Sequence, residues 1–167
     1  MKEYGKFAFV LLVCIVLSAS LVAQQSPTAK QLVGTWKMVS ITLDKNGQKT
    51  DMYGPNPQGI TIVDRNGHFS RLISRSDVPK FASNNRTGGT PEENKAAVQG
   101  SIAYYGTYTC NPADKGCTLH IEGCSFPNWI GTDQKHLYTL IGDELRESNP
   151  APSTGAGSAQ VIWKRVR

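Results

Sequence analysis

Short runs in which every second residue is apolar, each closed by a turn dipeptide, dominate this chain, and helical periodicity is almost absent. Period-two alternation sends successive side chains to opposite faces of a strand, so the pattern predicts an all-β protein. The first run, 35–43, sets Trp36, Met38, Ser40 and Thr42 against Lys37, Val39, Ile41 and Leu43, and it ends at Asp44-Lys45-Asn46-Gly47. Asn-Gly accepts the positive φ angles of a tight hairpin. The same device at Asp64-Arg65-Asn66-Gly67 joins 60–63 to 69–73, and Gly142-Asp143 joins 136–141 to 145–148. Further strands are predicted at 102–109, 118–122 and 160–166, which makes eight or nine in all. A meander of that many strands favours a single closed or nearly closed antiparallel barrel, because closure removes exposed edges.

Two stretches break the rhythm, 76–100 and 149–159. The first is long enough to form a lid. Within it a short helix is predicted at 91–98, with Thr90 as cap, Pro91 in the first turn, and Glu92 and Glu93 at the positive helix end. The second stretch, rich in Ser, Gly, Ala and Pro, reads as a surface loop.

Residues 1–23 follow a different logic: Lys2 and Lys6 precede an apolar run from Phe7 to Leu17, and small residues follow at Ser18, Ala19 and Ser20. This is the pattern of an export signal, with cleavage after Ser20 or Ala23, and it predicts a periplasmic or extracellular protein without a stable membrane span after processing. A polar linker at 24–30 and a barrel domain at 31–167 complete the expected organisation. The folding unit of about 144 residues has room for one domain.

With 39% hydrophobic and 19% charged residues, the composition excludes collagen-like, coiled-coil and wholly disordered chains. The net charge of +5 is scattered instead of forming a basic stripe, so no nucleic-acid partner is expected. Export makes disulfides admissible. Cys110 and Cys117 face each other across a six-residue turn at a hairpin base, within disulfide reach, which leaves Cys124 over. No cofactor or metal site is expected, since the cysteine spacing lacks a second pair and the three histidines are far apart in sequence.

Gly34-Thr35-Trp36, entering the first strand after Leu32-Val33, resembles the opening of a lipocalin-type barrel. The blocks Tyr53-Gly54-Pro55-Asn56-Pro57-Gln58-Gly59, Ile102 to Thr109, Phe126-Pro127-Asn128-Trp129-Ile130-Gly131-Thr132 and Val161-Ile162-Trp163-Lys164-Arg165 follow in an order that resembles the bacterial and fungal lipocalin-like domain proteins. The resemblance covers Leu32 to Val166 and implies a calycin-type β-barrel with Gly34, Trp36, Trp163 and Arg165 in structural roles. It supplies a fold more readily than an activity. At one position the chain departs from it, His136 standing where family members carry arginine.

Within such a barrel the candidate site is the interior. Tyr104 and Tyr108 share one face of their strand and Tyr105 takes the other, while Trp129 lies on the loop after the next strand. Arg71 is in phase with Phe69 and Ile73, which leaves two readings open, an exposed strand end that snorkels and an inward guanidinium able to grip a ligand carboxylate. Tyr105, Arg71, Tyr104, Tyr108 and Trp129 are therefore the candidate ligand-binding residues. His120 and Glu122, two apart on one strand face, are the only acid-base candidates, although the apolar Leu119 and Ile121 argue that they point outward. No Gly-x-Ser-x-Gly elbow, no cysteine–histidine pair and no phosphate loop is present. The expected function is binding of a small hydrophobic or amphipathic molecule. The alternatives are a barrel enzyme for an acid-base isomerisation or cyclisation, and a filled barrel acting through its surface.

Overall fold

The computed structural model describes residues 27–167. The segment read as an export signal and the start of the polar linker lie outside the described residues. From α1 (Ala29–Leu32) the chain runs through β1 (Gly34–Lys45), β2 (Gln48–Asp51), β3 (Gln58–Val63) and β4 (His68–Ser74). After α2 (Pro91–Gln99) come β5 (Ser101–Asn111), β6 (Gly116–Cys124), β7 (Asp133–Ile141), β8 (Glu144–Asn149) and β9 (Ser158–Arg165). The strands follow one another in a single antiparallel sheet, and β1 also pairs with β9 from Trp36↔Arg165 to Asp44↔Ser158. β1 and β3 to β9 thus form a closed barrel, and β2 is an extra strand paired only to the far half of β1. Among the described residues no helix is long and apolar enough to cross a membrane.

The local turn chemistry acts as expected. Asn46 and Gly47 both take positive φ at the first hairpin, and Asp64 Oδ1 accepts the backbone N–H groups of Asn66 and His68 at the second. In α2, Thr90 Oγ1 accepts the Glu93 N–H and the Glu93 carboxylate accepts the Thr90 N–H, a reciprocal capping box. The other Glu93 oxygen accepts the Ala82 N–H and so ties the helix to the loop before it.

Two bulges reset the alternation. In β1 the pairing with β9 slips between Met38 and Ser40, so Trp36 and Met38 face inward, Val39 is pushed out, and Ile41 turns in. The single unbroken alternation expected for this run is corrected by that one extra residue. In the β5–β6 ladder the register slips between Tyr105 and Gly106, leaving Glu122 of β6 as the extra residue, and a Cβ on Gly106 would sit 1.9 Å from the His120 carbonyl oxygen. Only glycine permits that approach.

The base of the barrel is closed by Trp36, which is fully buried and donates Nε1–H to the Leu32 carbonyl of α1 at 2.8 Å. Arg165 stacks on the opposite side with its guanidinium carbon 4.0 Å from the Trp36 ring centre, and it donates to the Val33 and Gln31 carbonyls at 2.8 and 2.6 Å. Gly34 leaves room for this arginine, since a Cβ there would lie 2.8 Å from Arg165 Nη1.

Cys110 and Cys117 are register partners at the β5–β6 hairpin and are joined by a disulfide. Closing this short loop removes unfolded-state entropy worth about 2 kcal/mol. Reduction is therefore expected to lower the urea midpoint by that much stability, measured with and without dithiothreitol. An unchanged midpoint would mean the cross-link constrains nothing beyond the hairpin.

Candidate functional site in the barrel interior and mouth

Period-two alternation decides which side chains enter the barrel. From β4 come Phe69, Arg71 and Ile73; from β5, Ile102, Tyr104 and Tyr108; from β7, Gln134, His136 and Tyr138; from β8, Leu145, Glu147 and Asn149; from β9, Val161 and Trp163. Most are apolar or aromatic. Across the middle of the lumen, however, lies a layer of charge.

Glu147 is its centre. Oε1 accepts from Arg71 Nη1 at 2.6 Å and from His136 Nδ1 at 2.5 Å, and Oε2 accepts from Trp163 Nε1 at 2.7 Å. A carboxylate can only accept, so the His136 nitrogen facing it carries the proton. His136 Nε2 lies 3.3 Å from Gln134 Oε1. Arg71 Nη1 also donates to the Tyr104 hydroxyl at 2.9 Å, and the guanidinium lies 4.9 Å from the Trp163 ring centre. Arg71 Nε is buried without a hydrogen-bond partner.

Burial alone would raise the Glu147 carboxyl, yet the Arg71 charge and the His136 N–H outweigh it and hold the group down at about 2. For Arg71 burial opposes the charge and the Glu147 carboxylate overcomes it, holding the guanidinium well above its ordinary value. Burial pushes Tyr104 up to about 12, partly offset by Arg71, and raises Tyr138 further, with Glu147 adding to the rise. The layer is thus an ion pair flanked by phenols that keep their protons.

Arg71 divides the lumen. Below it a void of about 20 Å³ lies among Thr61, Phe69, Tyr108, Leu119 and Tyr138, above the Trp36 base. Above it an inner cavity leaves about 30 Å³ for the centres of water-sized molecules, room for a water or two, bounded by Tyr53, Tyr104, Trp129, Glu147 and Asn149 among others. Tyr53, Ile102 and Ser153 line this cavity and also a hollow of about 400 Å³ at the mouth, bounded further by Val98 of α2, Phe126 and Thr154. Both interruptions of the strand rhythm therefore meet at one end of the barrel. Trp129 sits edge-on to Tyr104 at 5.4 Å and to Phe126 at 5.9 Å between centres, bridging the floor and the mouth.

The candidate residues separate accordingly. Arg71, Tyr104 and Trp129 line the inner cavity. Tyr108 faces inward but below Arg71, its hydroxyl donating to the Asp64 carbonyl at 2.9 Å. Tyr105 does not reach the cavity: it stands on the outer face, 56% exposed, because the inward phase of β5 runs through its neighbour Tyr104. Arg71 spends Nη1 on Glu147 and Tyr104 and its charge on the Glu147 carboxylate, while Nε keeps no partner. His120 and Glu122 are exposed on the outside of β6, His120 Nδ1 lying 2.7 Å from Asp133 Oδ1, so neither faces the interior cavity. Replacing either with alanine is expected to change affinity for any interior ligand by no more than about twofold, as for other surface sites. A titration showing a tenfold loss would contradict this placement.

The sequence reading missed Glu147, Asn149 and the inward role of His136. A signal existed. His136 is two residues before Tyr138, Glu147 two after Leu145, and an inward arginine at 71 requires an inward acid to neutralise it.

A closed antiparallel up-and-down barrel of eight strands, plugged at one end by a Gly-x-Trp tryptophan and an arginine and hollowed at the other, is a lipocalin-like barrel. A family model described as a lipocalin-like domain matches residues 33–166, and the chain belongs to that family. Among curated proteins it is 27% identical over 107 residues to the 4'-hydroxy-3'-methoxypropiophenone carrier protein ppsC of Aspergillus oryzae, covering 59% of this chain and 96% of that one. No solved structure matches the chain.

Proposed function

We propose that this protein binds and carries a small, largely apolar molecule bearing one polar group, and that it does so outside the cytoplasm. The observation that carries the reading is the two-level hollow: a mouth of about 400 Å³, within the range of small-molecule sites, where Tyr53, Val98, Ile102 and Phe126 stand among Gln99 and several hydroxyls, continuous through Tyr53, Ile102 and Ser153 with a narrow floor that holds Arg71, Glu147 and Asn149. The ligand's apolar body fits the mouth and its polar end the floor. The similarity to a carrier named for an aromatic ketone supports a ligand of this kind. The Cys110–Cys117 disulfide and the export-signal pattern support the compartment.

Native mass spectrometry of the protein purified from its own host, followed by solvent extraction, tests this reading. A retained compound of a few hundred daltons, displaced with a change in tryptophan fluorescence that Trp129→Phe abolishes, is the expected result. An empty barrel whose tryptophan emission responds to no apolar probe would overturn it in favour of a surface-acting barrel.

A further inference from the structure

The floor of the cavity has a polarity of its own, and it is one-sided. Both Glu147 oxygens already accept from the protein, Oε1 from Arg71 and His136 and Oε2 from Trp163, so most of this buried acceptor's capacity is used. Besides the buried Arg71 Nε–H and the Tyr53 and Ser153 hydroxyls, two further donors stand at the floor. The Tyr104 oxygen accepts from Arg71, so its own O–H must point elsewhere, and among the described residues it has no acceptor. Asn149 Oδ1 accepts the Ala151 N–H at 2.9 Å, which fixes the amide orientation and leaves Nδ2 without a protein partner among the described residues. Both residues are buried and line the same inner cavity. Arg71, which lines the same cavity, is paired with Glu147 at 2.6 Å, and His136 faces that same carboxylate.

From this we infer that the floor selects an uncharged ligand through a hydrogen-bond-accepting oxygen, of carbonyl type, held by the Tyr104 hydroxyl and the Asn149 amide, and that it rejects carboxylates. The inference rests on the binding reading above and deepens it. Size agrees with it: about 30 Å³ admits one small polar group, while a ring must stay in the mouth beside Tyr53 and Phe126. Charge agrees as well. A ligand carboxylate at the floor would lie beside the ionised Glu147 in a water-poor chamber whose single arginine is already paired, a like-charge encounter that costs far more there than in water. Burial keeps the Tyr104 proton in place, and the Arg71 contact polarises that O–H into a better donor.

Three near-isosteric probes test it: acetophenone, ethylbenzene and benzoate, titrated against the whole protein at neutral pH by protein NMR. Acetophenone is expected to bind about five- to tenfold more tightly than ethylbenzene, the worth of one or two hydrogen bonds, and benzoate more weakly than either. Tyr104→Phe and Asn149→Leu are expected to erase the ketone's advantage while leaving ethylbenzene binding within about twofold, and that retained binding shows the barrel is folded. Glu147→Gln, which leaves the Arg71 charge uncompensated, is expected to raise benzoate affinity about tenfold or more, a gain that unfolding cannot mimic. Equal binding of ketone and hydrocarbon, or benzoate as the tightest probe of the wild type, would overturn the inference and leave the carrier reading intact. Failure of all three probes to bind would count against both.

Discussion

Glu147→Leu is expected to destabilise the barrel by about 3–5 kcal/mol, among the largest effects any single substitution here can have. Removing the carboxylate strands Arg71 as a buried, unpaired cation and leaves the Trp163 and His136 N–H groups without their acceptor. The companion variant carrying both Arg71→Met and Glu147→Leu removes both charges at similar volume and is expected to recover most of the loss. Urea unfolding of the two singles and the double closes a double-mutant cycle. A coupling energy below about 0.5 kcal/mol would refute the central role given to the pair. The same pair shapes the acid limb of stability. Because the folded Glu147 carboxyl is held at about 2, below its ordinary 4.5, the unfolded chain binds the extra proton between those values. Its contribution is complete above that window and fades as pH falls through it. The wild type is expected to lose stability between pH 5 and 2.5 more steeply than the double variant, as judged by urea midpoints at each pH.

Trp36→Ala is expected to cost about 3–5 kcal/mol. The indole is fully buried, fills the closed end, and links β1 to α1 through Leu32 and to β9 through Arg165. No neighbouring chain can collapse into the space, because the barrel wall around it is tied on both sides by the β1–β3 and β1–β9 ladders. Thermal unfolding of Trp36→Ala and Trp36→Phe should rank them below wild type in that order, the phenylalanine retaining most of the packing but not the hydrogen bond. A loss under about 1 kcal/mol for the alanine variant would show that the base does not depend on this side chain.

What the sequence made legible was whatever is written locally. Asn46-Gly47, Asn66-Gly67 and Gly142-Asp143 mark hairpins by their own backbone preferences, Thr90 and Glu93 mark the start of α2, and the Cys110–Cys117 pairing follows from the hairpin that holds it. Closure of the barrel followed from strand number. Two kinds of information were not local. The bulge at Val39 depends on what the partner strand offers, so an alternation read along β1 alone carried straight through it. The buried layer joins residues from β4, β5, β7, β8 and β9, and its members look like ordinary surface polar residues until their phase is set against the apolar neighbours two positions away. Tyr105 went astray for the opposite reason. An aromatic ring drew attention that its position in the alternation did not justify.

The seam between β1 and β9 sets the order of events when the chain is made. Trp36 must wait for Arg165, its register partner more than a hundred residues later, so the first strand emerges long before the strand that completes its pairing. At about 5–20 residues per second, synthesis keeps the cylinder open along this line for roughly ten seconds. Glu147, the centre of the charged layer, is itself made only shortly before the final strand, which by bringing in Trp163 both closes the interior and supplies a donor to that carboxylate. Pairings this distant in sequence slow folding, so completion of the cylinder is the step at which this protein acquires, all at once, its shape and its chemistry.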